Sequence, residues 1–126
     1  HSKRVFVAMS FDKDLDIVFK SIKESCDMCG FKAYRVDLEE HNEKICDKII
    51  ADIKSSRFVI ADFTGQRHNV YYEAGFAKGM GIEVIWCCKE DEKDNLKFDI
   101  RQYNHILWND YEDLKGRLIN RIQARL

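Results

Sequence analysis

Five short apolar runs, each followed by a polar turn and then by apolar residues at helical spacing, constrain this chain more than any other feature. The runs are Val5-Phe6-Val7-Ala8-Met9, Phe31 to Val36, Phe58-Val59-Ile60-Ala61, Glu83 to Cys87 and Asn104 to Trp108. Continuous apolar runs of this length suit strands covered on both faces. Between and after them, Leu15, Val18, Phe19, Ile22 and Cys26 share one face of a helix that Asp12 can cap, as do Ile45, Ile49, Ile50 and Ile53 on the next. Leu114, Leu118, Ile119 and Ile122 do the same at the end. Strand and helix alternate throughout, so the expected fold is α/β, a three-layer flavodoxin-like (Rossmann-like) domain. Its five-stranded parallel sheet is expected in the order 2-1-3-4-5, with helices on both faces. The switch point then falls between strands one and three. It sets the loop Met9-Ser10-Phe11-Asp12 beside the loop Asp62 to Asn69.

Length and charge narrow the class. A chain of 126 residues builds one domain around one core. Its net charge of −1 and lack of a basic block give no nucleic-acid footprint. No apolar run reaches the about 18 residues of a membrane span, and no signal peptide is visible. Five cysteines, an odd number beside an ample core, argue for reduced thiols and a cytoplasmic setting. The chain starts at His1-Ser2 without Met, which suggests that these two residues are foreign and the domain is cut from a longer protein.

The third strand and the turn after it gather the most chemistry. Asp62 ends the strand, Thr64 to Asn69 is loop, and Asn69 is a plausible N-cap for a helix opening at Val70. Glu73 then falls in or just past the first turn, near the positive end of the dipole. Each residue also has a plainer reading. Asp62 suits an Asx-turn. Glu73 suits a dipole-facing carboxylate, although Val70 stands where a capping box needs Ser or Thr. Arg67 is placed to hold a phosphate bidentately, or is simply solvated. Ser10 can donate to a phosphate or sugar hydroxyl, and only one of Tyr71 and Tyr72 can face the cleft. Gly75 beside Ala74 is expected to let helix and sheet approach closely. Asp99 and Arg101 suit either a structural pair or, with Asn104, a reach into this cleft or a neighbour's.

Other signals are negative. No P-loop, dinucleotide fingerprint or receiver-type acidic pair is present. Cys26 and Cys29 have half a zinc site's spacing but no second pair, and adjacent Cys87 and Cys88 cannot face one metal. No metal site and no cofactor are expected. His41 and His105 are isolated.

Ala61-Asp62-Phe63-Thr64 followed by Asn69-Val70-Tyr71-Tyr72-Glu73-Ala74-Gly75 resembles the central motif of the nucleoside 2-deoxyribosyltransferase-like superfamily. That superfamily includes deoxynucleoside 5′-monophosphate N-glycosidases and, more distantly, TIR-type NAD-cleaving domains. Val7-Ala8-Met9-Ser10-Phe11 is similar to the family's first sugar- and phosphate-binding loop. The resemblance implies cleavage of the N-glycosidic bond of a nucleoside or nucleotide, by transfer or hydrolysis. It implies Glu73 as the nucleophile and Asp62 as the residue that orients the sugar or helps protonate the leaving base. Ser10, Phe11, Arg67, Asn69, Tyr72, Asp99, Arg101 and Asn104 are the expected substrate-binding residues. The implied partners are a small-molecule substrate and further copies of the chain, with no nucleic acid and no membrane. NAD hydrolysis, a nucleotide-sensing module and a TIR-like interaction domain are the alternatives. The enzyme reading requires the side chains of Asp62 and Glu73 to share one pocket, with Glu73 kept ionised by the helix terminus.

Overall fold

The computed structural model describes residues 2–35, 47–97 and 103–125. Five strands form one parallel sheet in the order β2-β1-β3-β4-β5. They are β1 (Arg4–Ala8), β2 (Lys32–Tyr34), β3 (Phe58–Asp62), β4 (Glu83–Lys89) and β5 (Ile106–Trp108). The helices are α1 (Asp16–Met28), α2 (Asp47–Lys54), α3 (His68–Gly79) and α4 (Tyr111–Arg125). The expected order and the doubly wound layout are both present.

Side-chain alternation divides the core into two layers. On one face Val5, Val7, Phe58, Ile60, Ile85 and Trp108 meet α1 through Val18, Ile22 and Cys26, and α4 through Leu114, Leu118 and Ile122. On the other face Phe6, Ala8, Val59, Ala61 and Trp86 meet α2 through Ile49 and Ile53, and α3 through Val70, Ala74 and Ala77. Cys26 and Cys87 belong to the first layer and Cys88 to the second, so these thiols are packing groups. Burial pushes the Cys26 thiol up to about 12.

Helices α1 and α3 both stop in Schellman motifs. Gly30 (φ 85°) and Gly81 (φ 79°) take the left-handed position, with Phe31 N–H donating to the Cys26 carbonyl and Ile82 N–H to the Ala77 carbonyl. At the open edge of β5, Arg117 donates to the Leu107 carbonyl and Arg121 to the Asn104 carbonyl (3.3 Å). Charged side chains thereby cover polar groups that an edge strand would otherwise expose.

Three local expectations are corrected. Helix α1 starts at Asp16 after a 3₁₀ turn (Lys13–Leu15), because Asp12 makes no capping bond and turns to Arg67 instead. Helix α3 starts at His68, with Arg67 as its N-cap, so Asn69 is inside the helix and caps nothing. Gly75 is exposed with open space around it, and Ala74 is the residue that meets the sheet. The charged stretch after β4 is ordered as a 3₁₀ helix over Glu90–Asn95.

Trp108 lies in the first layer and donates its indole N–H to Asp62 (2.9 Å). Trp108→Phe keeps an aromatic side chain, smaller than the indole, but strands one oxygen of a fully buried carboxyl. The expected loss is about 1–3 kcal/mol in urea denaturation.

Candidate functional site at the carboxyl edge of the sheet

The two loops predicted to be neighbours do meet. Asp12 pairs with Arg67 at 2.7 Å, and a Cβ built on Gly65 would lie 3.5 Å from Ser10 Cβ. Ser10 is buried, and its Oγ accepts the Asp12 N–H (3.1 Å), closing the first loop on itself. The Arg67 hydrogen bond, helped by Ser10, holds the Asp12 carboxyl below its ordinary range. Arg67, expected to hold a phosphate, therefore has a carboxylate of its own chain as partner.

The second loop is built tightly. Gly65 (φ 91°) and Gln66 (φ 53°) are both left-handed, a costly state for Gln66. Local hydrogen bonds hold it there: Gln66 Nε2 donates to the Phe63 carbonyl (3.0 Å), and the Tyr71 hydroxyl donates to Gln66 Oε1 (2.7 Å). Lys97 N–H then donates to the Tyr71 oxygen (3.1 Å). Thr64 Oγ accepts the Lys89 N–H (3.0 Å), and Glu92 accepts the Gly65 N–H (2.9 Å). A cavity of about 540 Å³ opens beside this loop, lined by Asp12, Lys13, Thr64, Lys89, Glu92 and Trp108 among others.

Asp62 is fully buried. One carboxyl oxygen accepts the Thr64 N–H (3.0 Å) and the other the Trp108 indole (2.9 Å). Burial raises its pKa, against the pull of the Thr64 and Trp108 hydrogen bonds. It thus makes the Asx-turn of the plainer reading. Its parity along β3 is that of Phe58 and Ile60, so it faces the layer of α1 and α4.

Glu73 stands in the other layer. It is the sixth residue of α3 and only 3% exposed, beside Val70, Ala74 and Ala77, which pack on the sheet. The two acids expected to share a pocket therefore sit on opposite faces of the sheet. The helix terminus does not keep Glu73 ionised either, since a helix dipole fades beyond the first turn. Burial dominates and raises the carboxyl from 4.5 to about 8, with the Asn69 amide one turn earlier pulling the other way. No ion pair to Glu73 occurs among the described residues.

The remaining expected residues divide by position. Asn69 lies one turn before Glu73 on the same face of α3, whereas Tyr72, 61% exposed, turns to solvent. Phe11 lies elsewhere, its ring under the Arg35 guanidinium (4.5 Å), with Phe19 on that group's other side (4.3 Å). Asn104 lines a cavity with Lys78, Gly81 and Glu83, where α3 ends and β4 begins, and so lies at the opposite end of the sheet from the loops. Asp99, Arg101 and His41 lie outside the described residues. Sequence reasoning gave no role to Trp108, Thr64, Gln66 or Glu92, and weighed Tyr71 only for the cleft, not as a brace for Gln66. Only Gln66, next to Gly65 in a tight turn, carried a usable signal. Among the described residues no three metal-ligating side chains converge, and no helix is long and apolar enough to cross a membrane.

Fold and loops together define a doubly wound α/β domain whose open edge lies at the carboxyl ends of its strands, the usual ligand edge of such sheets. A solved structure of Clostridium botulinum CMP N-glycosidase, BcmB, has this fold, with a TM-score of 0.67 over 92% of this chain and 98% of that one. The two sequences are 19% identical, so the likeness is one of fold. No family model and no curated protein matches the sequence.

The Glu73 shift fixes the sign of a pH effect. Its folded pKa exceeds the unfolded one, so the native state holds the extra proton between 4.5 and about 8. This contribution is full below the lower value and is lost as pH rises through the window. Glu73→Gln removes it. Across that window the variant's stability in denaturant titrations should gain on the parent by about 1.4 kcal/mol per pH unit.

Proposed function

We propose that the protein cleaves the N-glycosidic bond of a nucleoside or nucleotide with Glu73 as its single reacting carboxylate, in place of the two-acid pocket that the opposite placement of Asp62 rules out. The observation that carries this reading is Glu73 itself: a carboxyl 3% exposed, with no cation beside it among the described residues. Burying an unpaired carboxyl costs stability and contributes nothing to packing that an apolar residue would not supply better. Perturbed, unpaired acids of this kind concentrate at functional sites. The fold shared with a protein described as a CMP N-glycosidase supports the same chemistry.

Cleavage of the C1′–N bond builds positive charge on the sugar. A carboxylate below the ring stabilises that charge or bonds to C1′, and water or a second base then displaces it. With a pKa of about 8, only about a tenth of Glu73 is ionised at pH 7 in the free protein. The cationic transition state draws the remainder toward ionisation, because an opposite charge favours the charged form. Asn69, one turn before Glu73, bonds its carboxyl and serves to orient substrate. Asp62 is reassigned from the chemistry to positioning: both of its oxygens are occupied, and it fixes the turn from which α3 departs.

One observation favours a rival. A protonated Glu73 at neutral pH suits a nucleotide-sensing module in which the acid hydrogen-bonds a ribose without reacting. Incubation with pooled nucleosides, nucleotides and NAD separates the two by release of free base. The enzyme reading expects base release that falls by about 10³-fold or more in Glu73→Gln. It also expects kcat/KM to rise with pH through about 8, as the free carboxyl ionises. Tight binding without any base release would decide for the sensor.

A further inference from the structure

We infer that Glu92 makes the switch-point cavity refuse phosphate monoesters, so that its ligand presents a free hydroxyl there. The groups that would ordinarily receive a phosphate at this edge are already held by carboxylates of the chain. Glu92 Oε1 accepts the Gly65 N–H at 2.9 Å, the backbone donor that the left-handed Gly65 turns outward. Arg67 is held by Asp12 at 2.7 Å, and Lys89 lies 3.8 Å from Asp91. Three acids, Asp12, Asp14 and Glu92, line the cavity against two lysines, Lys13 and Lys89.

These contacts are not equal in weight. The Arg67–Asp12 pair is about half exposed on both sides, and such pairs exchange partners readily. Glu92 is different because it sits on the donor itself. A phosphate oxygen can reach the Gly65 N–H only by expelling Glu92 or by lying against it, and like charges in contact are strongly disfavoured. A sugar hydroxyl meets no such barrier, since it donates to a carboxylate. The cavity volume of about 540 Å³ admits a nucleoside-sized group. Glu73 does not line this cavity, whose Val18 and Trp108 belong to the layer of α1 and α4, so the inference concerns binding alone, nucleosides over nucleoside monophosphates, and stands apart from the glycosidase reading.

Binding and turnover should therefore be measured separately, on the parent, Glu92→Gln and Glu92→Ala. Titration calorimetry with inorganic phosphate, the common 2′-deoxynucleosides and their 5′-monophosphates gives the first; base release gives the second. The parent should bind nucleosides at least as well as monophosphates. Glu92→Ala should bind inorganic phosphate and the monophosphates about tenfold tighter than the parent does, and nucleosides more weakly, because the hydroxyl loses its carboxylate acceptor. Glu92→Gln, which keeps an acceptor for Gly65 but not the charge, should gain in the same direction. A parent that prefers monophosphates, or variants that gain no phosphate affinity, would overturn the inference. If no ligand yields free base while the binding pattern holds, the glycosidase reading fails and the specificity of the cavity stands.

Discussion

The carboxyl of Asp62 is the contact on which the ligand edge depends. It lies at the end of the central strand, wholly out of water, and a bare carboxyl in that place would be expensive. Two donors offset the cost, one from its own turn and one from Trp108 on the outer strand. Thr64, whose N–H is one of those donors, in turn accepts from Lys89 at the end of β4. A single buried acid thus ties three strand ends together and sets the direction in which the chain leaves for α3. The left-handed Gly65 and Gln66 that follow are held on that base, and α3 carries Glu73.

This arrangement separates two buried carboxyls that look alike in the sequence. Asp62 has both oxygens satisfied and is structural. Glu73 is nearly as buried, and burial raises both carboxyls, but only the Asn69 amide pulls the Glu73 pKa back down. Proteins seldom retain a carboxyl of the second kind without a use for it. The difference between the two acids lies in hydrogen-bond partners, and the proposal that one positions the loop and the other does the chemistry rests on it.

The ligand edge itself is crowded with the chain's own charges. Asp12 meets Arg67, Glu92 meets the Gly65 amide, and Lys89 meets Asp91. Loops that approach each other at a switch point in other doubly wound proteins often leave such donors open for phosphate. Here Asp12 comes from the loop after β1, and Asp91 and Glu92 from the segment after β4, which folds as a 3₁₀ helix back over the β3–α3 turn.

Apolar runs and helical spacing were enough to determine the element order, the strand order and the neighbouring loops, because burial on both faces of a parallel sheet leaves a period that local sequence carries. Parity along β3 was equally legible in principle: Asp62 follows Phe58 and Ile60 by twos, which places it opposite α3. Which donors would meet each carboxyl was not legible. Trp108 lies 46 residues from Asp62 and Glu92 lies 27 from Gly65, and no local pattern links them. The start of α3 also moved by two residues once Arg67 took the cap position, which carried Glu73 beyond the reach of the dipole and left its charge to burial. Periodicity is written along the chain; protonation and partner choice depend on side chains that only folding brings within three ångströms of each other.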